Sequence, residues 1–346
     1  MTLETIIEKK SKAKNSNTYY FDHAVVKLGG GLVAVTKRQK NELEETFDLY
    51  QPQTLQARIL KFLCLKVPFA LKMREVSCLK GFLIEEFNNS LLETLGWSSI
   101  SSIGGLIGNG DGNDRKYIFQ VSNSETKVIL KLGLTKNTKL NIENEYEMMD
   151  TISKQSPEIF PALFGLVRKP NYSFHLSEYL PSKRINFHNV PIYAILNMLV
   201  TKESIMLSKS LENTDFDSSG NDLDDIRINR VIEHGDLAPW NMRYTTSGGY
   251  KLIDLESSKP TGMPLADWVH WYVQYYKLVK NYKAEKIATE LRKQQRDSDF
   301  SEYLKAIGLD QCQATKLILL IIDNREKKGT DPKDFLSRYK NVFNER

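Results

Sequence analysis

Residues 234–255, HGDLAPWNMRYTTSGGYKLIDL, constrain the chain more than any other stretch. Pro239 rules out a continuous helix through the segment. Residues 242–245 suit one strand, 246–249 a turn, and 250–253 a returning strand. A hairpin of that length carries Asp254 back to the neighbourhood of Asn241, with Asp236 five residues upstream. Asn241 and Asp254 then offer two hard oxygen ligands at the base of one hairpin, which suits magnesium carried by a polyphosphate, because that ion keeps most of its octahedron for phosphate and water. Asp236 is the catalytic candidate: a carboxylate near such a metal can orient an attacking hydroxyl and accept its proton. His234 points to the opposite side of an extended loop and reads as a structural hydrogen-bonding residue. The bland alternative for the whole stretch is a polar turn between buried elements.

The chain has 346 residues, 41% of them hydrophobic, enough for one large domain or two modest ones. Its net charge of +5 is a mild excess with no evident basic stripe, so nucleic acid is not an expected partner. Three cysteines, Cys64, Cys78 and Cys312, are widely spaced and odd in number, which fits a reducing compartment. There is no apolar leader and no run of about 20 apolar residues. The expected location is the cytoplasm, with no stable membrane insertion.

Residues 1–96 form a mixed, turn-rich region. Within it, residues 59–73, ILKFLCLKVPFALKM, interleave large apolar side chains with lysines. One reading is a helix packed on the body with its lysines solvated and Pro68 breaking the pattern; the other is peripheral contact with anionic lipid. From Ser98, three short apolar segments separated by turns predict an antiparallel meander. A helix is predicted over 141–155, with Ile142, Tyr146, Met149 and Ile152 on one face, then two further strands ending at Pro181. Residues 190–207 have helical spacing, the acidic stretch 208–226 reads as a solvated loop, and the chain from 265 onward reads as amphipathic helices.

HGDLAPWN followed by LIDLE resembles the catalytic loop and metal-binding segment of the aminoglycoside phosphotransferase and choline kinase group, with Gly235 where protein kinases carry Arg. The resemblance implies an α+β, bilobal protein kinase-like fold: an accessory region at 1–96, an antiparallel-sheet small lobe at 97–180 and a mainly helical large lobe at 181–346. It implies ATP and Mg2+ as cofactors. Lys131 on the third strand would meet the phosphates, and Glu145 is the best match for its helix partner among Glu143, Glu145 and Glu147. Glu178 and Tyr179 would present backbone groups to adenine. Gly108 and Gly110 lie where a phosphate-covering loop belongs, but the register departs from G-x-G-x-x-G, and a plain hairpin turn fits as well. Asp267 would hydrogen-bond the catalytic-loop backbone, or cap its own helix. The chain is also similar to phosphotransferase-like proteins of bacterial surface polysaccharide assembly, which implies a small-molecule or glycan hydroxyl as acceptor. The competing expectation is a kinase-like binding or scaffolding protein without turnover. Asp254 outranks Asn241 as a metal ligand on charge, and Lys131, as a point donor, is expected to matter little for stability.

Overall fold

In the computed structural model the described residues are 3–8, 18–29, 32–37, 40–50, 52, 54–108, 115–183, 185–212, 225–246 and 248–344. The chain divides into two units, residues 1–150 with 161–182, and residues 151–160 with 183–346. The fold class is α+β, with a large antiparallel sheet in the first unit and mostly helix in the second.

The sheet of the first unit has nine strands: β1 (Ile7–Glu8), β2 (Tyr20–Gly29), β3 (Leu32–Thr36), β4 (Glu75–Leu83), β5 (Ser102–Ile107), β6 (Tyr117–Ser122), β7 (Lys127–Gly133), β8 (Leu163–Arg168) and β9 (Ser173–Glu178). Their order is β1-β4-β2-β3-β5-β6-β7-β9-β8. The meander expected after Ser98 is β5, β6 and β7, with Ile118 opposite Lys131. The 1–96 segment and this meander lie in one sheet, because β3 pairs with β5 at Val33–Ile107 and Val35–Gly105.

Strand alternation splits the apolar side chains between two faces. Val35, Ile103, Phe119, Leu130 and Phe174 form one core with Phe87 and Leu91 of α4 (Glu85–Leu95). Ala34 and Leu106, one residue out of phase, pack on the other face with Leu43 and Phe47 of α1 (Lys40–Asp48) and Cys64 of α2 (Leu55–Lys66). Pro68 starts α3 (Pro68–Arg74), so residues 59–73 are two helices rather than one, a proline being tolerated at a first helical position. The side chains run against the packed reading: Lys61 turns inward and donates to the carbonyls of Phe47 and Tyr50 at 2.6 and 2.8 Å, while Ile59, Phe62 and Phe69 face outward. Helix α5 (Lys136–Ser153) starts five residues before its apolar periodicity suggests.

Beyond the two-residue strand β10 (Ser182–Lys183), the second unit holds α6 (Ile192–Met198), β11 (Val200–Met206), α7 (Leu207–Glu212), β12 (Arg227–Val231), the hairpin β13 (Met242–Thr245) and β14 (Tyr250–Leu252), and α8 (Ala266–Gln274) to α12 (Phe335–Asn344). The helix predicted through 190–207 stops at Met198. VTKESIM pairs antiparallel with β12, a partner far along the chain that local spacing does not reveal. Most of the acidic stretch 208–226 lies outside the described residues. The remaining helices, α9 (Ala284–Gln294), α10 (Ser298–Ile307) and α11 (Gln311–Lys327), bury Ile287, Phe300, Leu317 and Ile321, and Trp268 of α8 packs on Phe300 with ring centroids 4.7 Å apart.

Candidate functional site

The loop 234–241 is fixed from three sides. Asp267, in the first turn of α8, does not cap its own helix; its two oxygens accept the backbone N–H groups of His234 and Gly235 at 2.7 and 3.0 Å. Burial, and after it the neighbouring Glu233 carboxylate, push the Asp267 pKa up to about 7. The buried His234 ring accepts Asp236 N–H on Nδ1 at 3.3 Å, so its proton sits on Nε2 and goes to the Ile253 carbonyl at 3.0 Å. Burial lowers its pKa and keeps it neutral. Gly235 has φ +81°, and a Cβ there would come within 2.3 Å of the Ser257 carbonyl oxygen, so no other residue fits.

The hairpin has the register expected from the turn length, Met242 opposite Leu252, and Ile253 N–H closes it on the Asn241 carbonyl at 3.0 Å. Asp254 follows at once, held at φ +68°, a left-handed conformation that costs a non-glycine residue on the order of 1 kcal/mol. The Asn241 Nδ2 donates to the Asp236 carboxylate at 2.7 Å and to its carbonyl at 2.9 Å. Both amide hydrogens are thereby used, and the amide oxygen is directed away from Asp236. The hard oxygens carried by the two ends of the hairpin are that amide oxygen and the Asp254 carboxylate. Among the described residues no three His, Cys, Asp or Glu converge as a zinc or calcium cage would require; two hard oxygens suit magnesium, which retains water and phosphate in its shell.

Asp236 has a second partner that the sequence did not reveal. His270 of α8 brings Nε2 to 2.9 Å from Asp236 Oδ1. Arg325 NH1 can only donate, so His270 Nδ1 accepts from it at 2.9 Å and the proton lies on Nε2, facing the carboxylate. The N–H is not aligned with the oxygen, and the contact is that of a neutral imidazole dipole with a carboxylate rather than a linear hydrogen bond. Arg325 is itself held by a two-pronged pair with Asp331 at 2.8 and 2.9 Å. Burial alone would raise the Asp236 pKa; His270 and the Asn241 amide outweigh it and hold the carboxyl below its ordinary value. The only signal for His270 was its spacing, three residues after Asp267 and so on the same face of one helix.

In the first unit, Lys131 Nζ meets Glu145 Oε1 at 2.6 Å, with the side chains 11% and 2% exposed. Glu143 and Glu147 lie on another face of α5 and bond Arg168. His175, directly across the ladder from Lys131, lies 3.5 Å from Glu145 Oε2. Burial by itself would raise the Glu145 pKa, but Lys131, and after it His175, hold it far below the usual carboxylate range. Glu178 N–H is engaged by the Ala162 carbonyl at 2.8 Å, and Lys127 Nζ sits 5.8 Å from the Tyr179 ring centre. Gly108 extends the β5–β6 ladder by donating to the Lys116 carbonyl at 2.9 Å and has an ordinary backbone conformation; Gly110 lies outside the described residues.

No family model and no curated protein matches the chain. Among solved structures it is similar to a crystal structure from Haemophilus somnus 129PT named "Putative fructosamine-3-kinase", at 12% identity and a TM-score of 0.42, over 75% of this chain and 95% of that one. Of the sequence candidates among the described residues, the structure brings together Lys131 with Glu145 in the first unit and Asp236, Asn241 and Asp254 in the second, with Glu178, Tyr179 and Gly108 elsewhere in the sheet unit.

Proposed function

We propose that the protein is an ATP- and magnesium-dependent phosphotransferase acting on a hydroxyl group. The observation that carries this reading is Asp236: a carboxylate 43% exposed, one oxygen fixed by Asn241 and the other faced by His270, in the loop that leads into the hairpin bounded by Asn241 and Asp254. In this reading Asp236 takes the proton of the acceptor hydroxyl while that oxygen bonds to the γ-phosphorus and the bond from phosphorus to the departing diphosphate breaks. Asn241 and Asp254 are assigned to magnesium, which when bound supplies positive charge to the phosphates. Lys131, kept extended by Glu145, is assigned to the phosphates nearer the ribose. A sugar or glycan is the acceptor class favoured by the sequence resemblance to polysaccharide-assembly phosphotransferases.

The test is ADP formation from ATP and magnesium across a panel of free sugars and amino alcohols, with the product examined by phosphorus NMR. The expected result is acceptor-dependent ADP with a new phosphate monoester resonance, both abolished by chelating magnesium. Nucleotide binding without turnover on any hydroxyl would replace this reading with that of a kinase-like scaffold.

A further inference from the structure

Among the described residues, fourteen large hydrophobic side chains are exposed, and eight of them fall within residues 55–76. They are aligned. Leu55, Ile59 and Phe62 share one face of α2, and Lys66 continues the stripe one turn on. On α3, Phe69 and Met73 are four residues apart, 70% and 72% exposed, with Lys72 beside them. The opposite face of α2 carries Cys64 to the core and directs Lys61 to carbonyls at and just past the C-terminal end of α1. The amphipathic pattern is thus inverted, with large apolar side chains on the outward side. An isolated exposed apolar side chain needs no account, but a contiguous row does.

Charge identifies what the row faces. Residues 54–80 hold Arg58, Lys61, Lys66, Lys72, Arg74 and Lys80 against the single acid Glu75, a net +5. A second stretch, residues 277–296, carries the same net charge but only Leu278 among the exposed large hydrophobics, so it is at residues 54–80 that a basic excess and a row of exposed apolar side chains coincide. Lys66 and Lys80 make only long, exposed ion pairs, with Glu44 at 3.7 Å and Asp22 at 3.4 Å, which hold a lysine weakly against a stronger anionic field. No helix among the described residues is long and apolar enough to cross a membrane. We infer that α2 and α3 form a peripheral docking surface for an anionic phospholipid bilayer, with Phe62, Phe69 and Met73 entering the headgroup boundary and Lys66 and Lys72 lying among the phosphates.

The test uses the full chain and vesicles of phosphatidylcholine, alone or mixed with phosphatidylglycerol. Co-sedimentation is expected with the mixed vesicles only, and is expected to weaken as salt rises. The double variant Phe62→Ser, Phe69→Ser is expected to lower partitioning by about tenfold or more, and Lys66→Gln, Lys72→Gln by about fivefold per residue. Phe164→Ser, an exposed apolar residue on β8, is the control and leaves binding unchanged. Circular dichroism and melting confirm that each variant is folded. Equal partitioning onto neutral vesicles, none onto anionic ones, or indifference to both double variants overturns the inference. So does a lipid-free dimer that the phenylalanine variant converts to monomer, which would make a second copy of the chain the occupant.

Discussion

Lys131–Glu145 is a short ion pair and Asp236–His270 a short contact between a carboxylate and a neutral ring, and the two carboxylates differ in how far water reaches them. In the first, Glu145 is buried and Lys131 largely so, whereas the Asp236 side chain is nearly half exposed. A sealed pair keeps two desolvated charges tolerable by holding each against the other, so removal of either strands its mate. A carboxylate at the surface has water in reserve, so its loss does little to the fold and acts on whatever chemistry it performs. Solvent access thus separates a group that positions from a group that reacts.

The strongest way to break this contrast is Asp236→Asn, which keeps the loop's shape and removes its charge. Turnover is expected to fall by about 10² to 10⁴, roughly 3 to 5 kcal/mol of barrier, with nearly unchanged melting; a lowered melting temperature with normal activity per folded molecule would make Asp236 the structural member instead. Glu145→Ala should do the reverse to the fold without nucleotide. Leaving Lys131 and His175 without the carboxylate they share costs about 3 to 5 kcal/mol, a drop of roughly 10 °C or more in a unit this size. Lys131→Ala carries a similar cost, contrary to a lysine acting only as a surface point donor, and unchanged calorimetric melting of either variant would remove the distinction.

Acid sharpens it further. His23 is fully buried, accepts Asp22 N–H on Nδ1 and donates to the Ile103 carbonyl, and burial lowers its pKa to about 4. A lowered histidine pKa means that the unfolded chain binds the proton first, so stability is full above pH about 6.5 and is lost as pH falls toward 4, by about 3 kcal/mol in all. The Glu145 contribution is lost only below the ordinary carboxylate range, so the two are separable. Denaturant titrations of His23→Gln are expected to show a flatter stability profile between pH 4 and 6.5, and an identical slope would exonerate His23. The smallest effect belongs to His270→Gln, about tenfold in kcat with an unchanged KM for ATP; a change in KM alone would move His270 from orienting Asp236 to binding nucleotide.

The parts legible in the sequence were those written locally. The hairpin announced itself through TSGG between two apolar runs, and Lys131 through its place on a third strand. What stayed hidden depended on approach between distant segments. His270 reaches Asp236 only because α8 is tied to the loop by Asp267. VTKESIM is a strand only because β12 lies beside it. The direction of α2 was misread because periodicity reports that a helix has two faces without saying which one meets the core, and Lys61, a residue expected outside, was given the inner position by two carbonyls that needed a donor.

The pairing of β3 with β5 sets an order of events during synthesis. Some 65 residues separate the end of β3 at Thr36 from the start of β5 at Ser102. At about 5 to 20 residues per second the ribosome takes several seconds to supply the missing neighbour. Until then the β3 edge is unpaired, first in the β2–β3 hairpin and, once β4 is made, in a three-stranded sheet, an arrangement prone to pair with another nascent chain. The N-terminal strands are a template that waits for its complement, and the yield of native protein depends on how long they wait alone.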